Sequence, residues 1–200
     1  MYEMSNSESK QLLVGLKSDL SRRHAPILDR LNPGKSETEL RKIFGGMDIP
    51  EEIYTIFQWK NDTDTLNRPI GQCWLFSMGA PMTAEKAVRY YHNFVNQDGY
   101  WINGMFPVFE SLGGEFYLVD TNRSSPTYGF VFFYYRAAVN FETIISKYDS
   151  LETLLTSVIE CFKTGAYSYN RDQILTPQHL LAREINMRNN PRSAYWTLFK

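Results

Sequence analysis

The chain has 200 residues, 43% apolar and 15% aromatic, enough for one domain with a sizeable core and too apolar for a disordered composition. The net charge of −1 is unevenly spread: residues 1–50 carry +1, residues 51–170 carry −5 and residues 171–200 carry +3. An acidic body with a mildly basic tail lacks the basic face of a nucleic-acid binder and suits a basic partner.

In chain order, Leu12, Leu13, Leu16 and Leu20 recur at helical spacing, and Pro26 ends that first helix. Asn32-Pro33-Gly34 reads as a turn. Ser36 with Glu39 is a capping box, opening a helix whose buried face is Leu40, Ile43 and Phe44 and which stops at Gly45-Gly46. Ile49-Pro50-Glu51-Glu52 starts another helix, with proline suited to its first position and acids to the positive end of its dipole. Ile53, Ile56 and Phe57 face inward, and Trp59-Lys60-Asn61-Asp62 ends it.

After a polar loop, Cys73-Trp74-Leu75-Phe76 is a strand candidate. Thr83 caps a helix with Ala87, Val88, Tyr91, Phe94 and Val95 on one face, and Gly99 ends it. Residues 106–109, 115–119 and 130–135 are short, aromatic and β-branched, and turn residues bound them, so they read as strands. Asp149 or Ser150, with Glu152, opens the strongest helix; its stripe runs through Leu151, Leu154, Leu155, Val158, Ile159 and Phe162 to Gly165. Thr176-Pro177 opens a less apolar helix that Asn189-Asn190-Pro191 ends, and an aromatic tail follows from Tyr195. Strands at hairpin spacing between helices indicate an α+β fold: an antiparallel or mixed sheet of several short strands packed with helices in a single domain.

Tests for chemistry find no catalytic constellation. Gly34-Lys35-Ser36 resembles the end of a phosphate loop, but Asp29 stands where that motif needs glycine. Gly113-Gly114 is followed by an apolar strand, so it reads as a hairpin turn and not a phosphate cradle. Asp62 and Asp64 would begin a calcium loop, but Asn67 and Cys73 occupy the positions of its glycine and glutamate. His24, His92 and His179 are isolated in sequence. Only a meeting of one of them with Cys73 or Cys161 in space would make a cysteine nucleophile, and no local signature points to one. The two cysteines read as reduced thiols. Arg171, Arg183, Arg188 and Arg192 are too scattered for a nucleic-acid patch and read as a solvated helix face. Trp74 reads as core, whereas Trp59 and Trp101 lie at element ends, where exposed aromatic anchors occur.

Three segments together resemble the SUKH superfamily, specifically its Smi/Knr-type domain. The first is Ile49-Pro50-Glu51-Glu52-Ile53-Tyr54 running to Trp59-Lys60-Asn61-Asp62, similar to a Leu-Pro pair opening a helix that ends near Asn-Gly, with Asp62 in place of the glycine. The second is Phe106-Pro107-Val108-Phe109 with Gly113-Gly114-Glu115-Phe116-Tyr117-Leu118-Val119-Asp120: an apolar strand, a glycine-rich turn and a strand ending in Asp. The third is residues 128–135 followed by 150–162, similar to the next strand and closing helix of that family.

The resemblance covers residues 36–165, with an N-terminal helical segment at 1–35 and a C-terminal helical extension at 166–200. It implies a non-enzymatic protein without cofactor or metal. Bacterial members look like immunity proteins that bind a toxin, often a nuclease; fungal members look like regulators of cell-wall synthesis and signalling. The expectation is therefore a cytoplasmic immunity protein that neutralises a cognate toxin by protein–protein contact. Trp59, Asn61, Asp62, Trp101 and Asp120 are its expected partner-binding residues. No signal-peptide core occurs in residues 1–10, and no window approaches the ~18 apolar residues of a membrane span. A regulatory interaction module and a small-molecule binder are the alternatives.

Overall fold

Asn6–Arg22 forms the first helix, α1, and its Leu13, Leu16 and Leu20 are buried as the spacing predicts. In the computed structural model, which describes residues 6–95, 103–135 and 145–198, five further helices and nine short strands follow. The helices are α2 (Glu37–Phe44), α3 (Glu51–Trp59), α4 (Ala84–Val95), α5 (Leu151–Thr164) and α6 (His179–Asn189). The strands are β1 (Leu31–Pro33), β2 (Lys60–Thr63), β3 (Ala80–Pro81), β4 (Met105–Glu110), β5 (Phe116–Asp120), β6 (Val131–Tyr134), β7 (Ser146–Tyr148), β8 (Tyr167–Tyr169) and β9 (Leu175–Pro177).

The central sheet runs β3-β4-β5-β6-β7 with every neighbour antiparallel, which resolves the expected "antiparallel or mixed" to antiparallel. Every residue of β4 and β5 is buried, so both faces of the hairpin are covered, and continuous apolar runs replace an alternating pattern. Phe106 meets Phe44 of α2 and Tyr91 of α4, and Phe116 meets Tyr90 of α4. Phe76 packs edge-on against Phe109 and Tyr117. Pro107 is tolerated inside β4 because the ladder shifts register between it and Phe109. The turn after β4 is the expected hairpin: the amides of Gly113 and Glu115 donate to the Ser111 hydroxyl, and Leu112 and Gly114 take positive φ.

Local signals set the helix ends. The Ser36–Glu39 capping box forms, and Gly45 and Gly165 close α2 and α5 in the left-handed conformation. Ser150 caps α5, with Thr153 and not Glu152 as its reciprocal partner. Asn32-Pro33-Gly34 is not a free turn: β1 pairs with β2, and Gly34 passes so near α3 that a Cβ there would meet the Gln58 carbonyl oxygen at 1.9 Å. Cys73, Leu75 and Phe76 are buried and Trp74 is half-buried, but the run forms no ladder strand, and Phe76 makes only an isolated bridge with Gly79. Thr176-Pro177 belongs to the β8–β9 hairpin, and α6 starts two residues later. The expected helix end at Gly99 lies outside the described residues.

One core spans all three sequence segments. α1 packs on α5 and α3, and α5 packs on α6. The C-terminal stretch is fastened to β7: Ser193 Oγ donates to the Ser146 carbonyl at 2.6 Å and Trp196 Nε1 to the Lys147 carbonyl at 2.6 Å. Among the described residues no helix is long and apolar enough to cross a membrane.

Candidate functional site

The three segments that carry the family resemblance meet at one cleft of about 390 Å³. Pro50, Glu52 and Ile53 come from the start of α3; Val119 from the end of β5; Tyr128 and Gly129 from the loop before β6; and Ser150, Leu151 and Glu152 from the start of α5. Arg192, from the stretch after α6, completes it. Each wall has a local cause. Pro50 fixes the approach to α3, whose first turn carries Glu51 and Glu52. The Ser150 cap fixes the start of α5 by accepting from the Thr153 amide at 3.1 Å.

Asp120 builds the third wall from within. It is only 1% exposed, and both carboxylate oxygens are engaged: Oδ1 accepts from the Asn122 amide at 3.0 Å and Oδ2 from the Thr127 hydroxyl at 2.7 Å. Its carbonyl accepts from the Gly129 amide at 2.8 Å. These bonds fold the loop that sets Tyr128 at the mouth. An exposed ion pair between Arg123 and Asp48, at 2.8 Å, ties that loop to the segment before α3, and the Arg123 guanidinium lies over the Tyr128 ring at 5.8 Å.

The cleft is rich in carboxylates. Glu152 is raised to about 7, first by burial and then by its hydrogen bond to Glu8 of α1 and the charges of Glu8 and Glu52. Asp149, a buried lining residue, accepts at Oδ2 from the Arg192 amide at 3.1 Å and faces Arg192 Nε at 3.4 Å. Its Oδ1 is buried with no hydrogen-bond partner. Arg192 also spreads its guanidinium over the Phe130 ring at 4.4 Å. Such a site is suited to receive positive charge and apolar surface together. Among the described residues no group of three or more His, Cys, Asp or Glu is placed to hold a metal ion.

Of the five residues expected at a contact surface, the four that are described do not form one patch. Trp59 lies half-buried at the far end of α3 from the cleft, with its Nε1 buried and unpaired. Asn61 is buried, and its Oδ1 accepts from the Ala84 amide at 2.9 Å, so it caps α4 across space. Asp62 is half-exposed in a strained backbone with φ +117. Asp120 sits at the opposite end of the β4–β5 hairpin from Glu110, in register with Met105, and shapes the cleft without surfacing. Trp101 lies outside the described residues.

The cysteines and histidines stay apart: Cys73 and Cys161 are free and buried, whereas all three histidines are exposed. Burial pushes the Cys161 thiol up to about 12, far from a thiolate at neutral pH. The residues that sequence reading missed are Glu52, Tyr128, Asp149, Glu152 and Arg192. Acids in a first helical turn fit the dipole so well that their spacing carries no further signal, and only the fold brings residues 52 and 152 together.

No model of a known protein family matches this chain, and no curated protein matches it.

Proposed function

We propose that the protein acts by binding another protein: an immunity-type domain that occupies a basic, nuclease-type toxin and blocks it without catalysis or cofactor, in the cytoplasm. The observation that carries this reading is the convergence of the three family-like segments on one acidic cleft. Segments 49–53, 119–129 and 149–152 are far apart in sequence, and the second and third spend polar groups on holding their walls in place. The acidic residues at the rim match the −5 charge of residues 51–170, which steers a basic partner toward this body.

Affinity capture with the tagged full chain from its native host, read by mass spectrometry, tests this. The expected result is a stoichiometric basic protein with a toxin-type catalytic domain, whose activity falls when the chain is added. A non-toxin regulatory partner, or no stoichiometric protein at all, contradicts it. The second reading is a small-molecule binder, favoured by a cleft volume within the usual range for ligand pockets. A thermal-shift screen with metabolites separates the two, because a ligand that binds only the folded state raises Tm.

A further inference from the structure

Among the described residues, β8 keeps an unpaired outer edge. In the β8–β9 hairpin Tyr167 faces Pro177, Ser168 faces Thr176 and Tyr169 faces Leu175. The Gln178 amide donates to the Ala166 carbonyl and the Asn170 amide to the Ile174 carbonyl. In an antiparallel pair the bonded positions alternate, so Ser168 continues this ladder toward β9. The N–H and C=O groups of Tyr167 and Tyr169 therefore point away from β9, and among the described residues they have no hydrogen-bond partner. Other edges are blunted. Pro177 has no N–H to offer at the far edge of β9, and Ser193 and Trp196 donate to the Ser146 and Lys147 carbonyls of β7.

The outer edge of β8 borders a slot of about 520 Å³. Residues 167–170 line one side and residues 23–26 the other, and Phe162 joins the lining. The lining takes consecutive residues of β8 and none of β9, which sets the slot along the edge of the hairpin and not over its face. Ser168 is exposed and Tyr169 half-buried, so the slot is open there, and Tyr167, 4% exposed, marks its inner end. A strand fills about 160 Å³ per residue (a rise of ~3.3 Å, a spacing of ~4.8 Å and a thickness of ~10 Å), so the slot takes about three residues, the length of β8. Its charge is positive. The lining holds Arg23 and His24 and no carboxylate. Arg22 and Arg23 share Asp19, at 2.7 and 2.9 Å, and the roughly half negative charge at the end of α1 does not cancel the second guanidinium. In the flanking positions Asp29 offsets Arg30 and Asp172 offsets Arg171.

We propose that this slot receives an extended acidic segment of a partner protein, which adds a strand to the outer edge of β8. The backbone of that segment supplies the donors and acceptors that Tyr167 and Tyr169 lack, and its carboxylate meets Arg23. A second copy of this chain fits less well, because its own β8 brings the same positive end of α1 to the edge. The slot and the acidic cleft share no lining residue and take segments of opposite charge.

The test is an amide-resolved NMR titration of the ¹⁵N-labelled full chain. The probes are a blocked peptide of alternating threonine and valine with a central glutamate, its lysine counterpart, and the glutamate peptide N-methylated throughout. The expected result is saturable binding of the glutamate peptide, with a downfield shift and about tenfold slower hydrogen exchange of the Tyr169 amide. Ser168, whose amide faces β9, is not slowed to the same degree. The N-methylated peptide is expected to bind about tenfold more weakly. The lysine peptide, and the glutamate peptide with the Arg23→Gln chain, are each expected to bind about threefold more weakly. Asp19 keeps Arg22 in that variant, so its fold is not at risk. No saturable shift at millimolar peptide, equal binding of the N-methylated peptide, or equal slowing at Ser168 overturns strand addition. Equal binding of the lysine peptide overturns the acidic partner. Slowing at Tyr169 that grows with chain concentration alone overturns the partner segment and gives the edge to a second copy.

Discussion

Lys147 shows at the residue scale how this fold treats charge. It is only 6% exposed, and its ammonium lies over the rings of Phe133, Tyr195, Tyr117 and Trp196 at 4.3–5.4 Å, with one hydrogen bond to the Tyr117 hydroxyl at 3.1 Å. No carboxylate of the described residues pairs with it, and burial lowers its pKa to about 7. The unfolded chain holds this proton up to roughly pH 10, so between the two values the unfolded state binds more protons and stability rises with pH. Lys147→Met lacks that term. In urea unfolding, the parent chain is expected to gain up to about 2 kcal/mol on Lys147→Met between pH 7 and 9. A pH-independent difference would show that the four rings leave the amine at its ordinary value. Asp120 is the opposite case, a buried carboxylate fully spent on its own loop. Asp120→Ala leaves the Asn122 amide and the Thr127 hydroxyl without their acceptor and is expected to lower stability by about 2 kcal/mol, with loss of the native Gly129 amide shift.

At the scale of elements, α5 links the core to the cleft. Its stripe of Leu151, Leu154, Leu155, Val158 and Phe162 is buried, and its first turn places Glu152 in the lining. Ser150→Ala removes the cap and is expected to cost about 1 kcal/mol, read as a lower urea midpoint at unchanged slope. Leu154→Ala is expected to cost about 2–5 kcal/mol through the cavity it opens, with the cleft otherwise intact. These features were legible in the sequence because a cap, a 3.6-residue stripe and a terminal glycine are local. β2, β7, β8 and β9 were not, because three or four residues such as Tyr167-Ser168-Tyr169 are too few to show a period, and their pairing partners decide their state. The run at 73–76 misled for a related reason: a short apolar stretch reads the same whether or not a neighbouring strand completes a ladder.

The whole molecule explains why the site was harder to see than the fold. Polar residues at element ends looked like candidates for a partner, but element ends are also where backbone amides lack partners. Asn61 and Asp120 are used there, one on the first amide of α4 and the other on the loop before β6. The cleft draws residues from positions 50, 119, 128, 149, 152 and 192, including one from the C-terminal extension, and no spacing along the chain records that meeting. Each of the three segments quoted for the resemblance contributes one wall of the cleft.

On the function proposed above, a partner protein binds at this cleft. Amide hydrogen exchange of the full chain, alone and with the captured partner, tests it most directly. The expected result is added protection concentrated in residues 49–54, 119–130 and 149–153 and lost when Glu52 and Glu152 are changed to glutamine. Protection confined to the Trp59–Asp62 corner, or left unchanged by those substitutions, would contradict it.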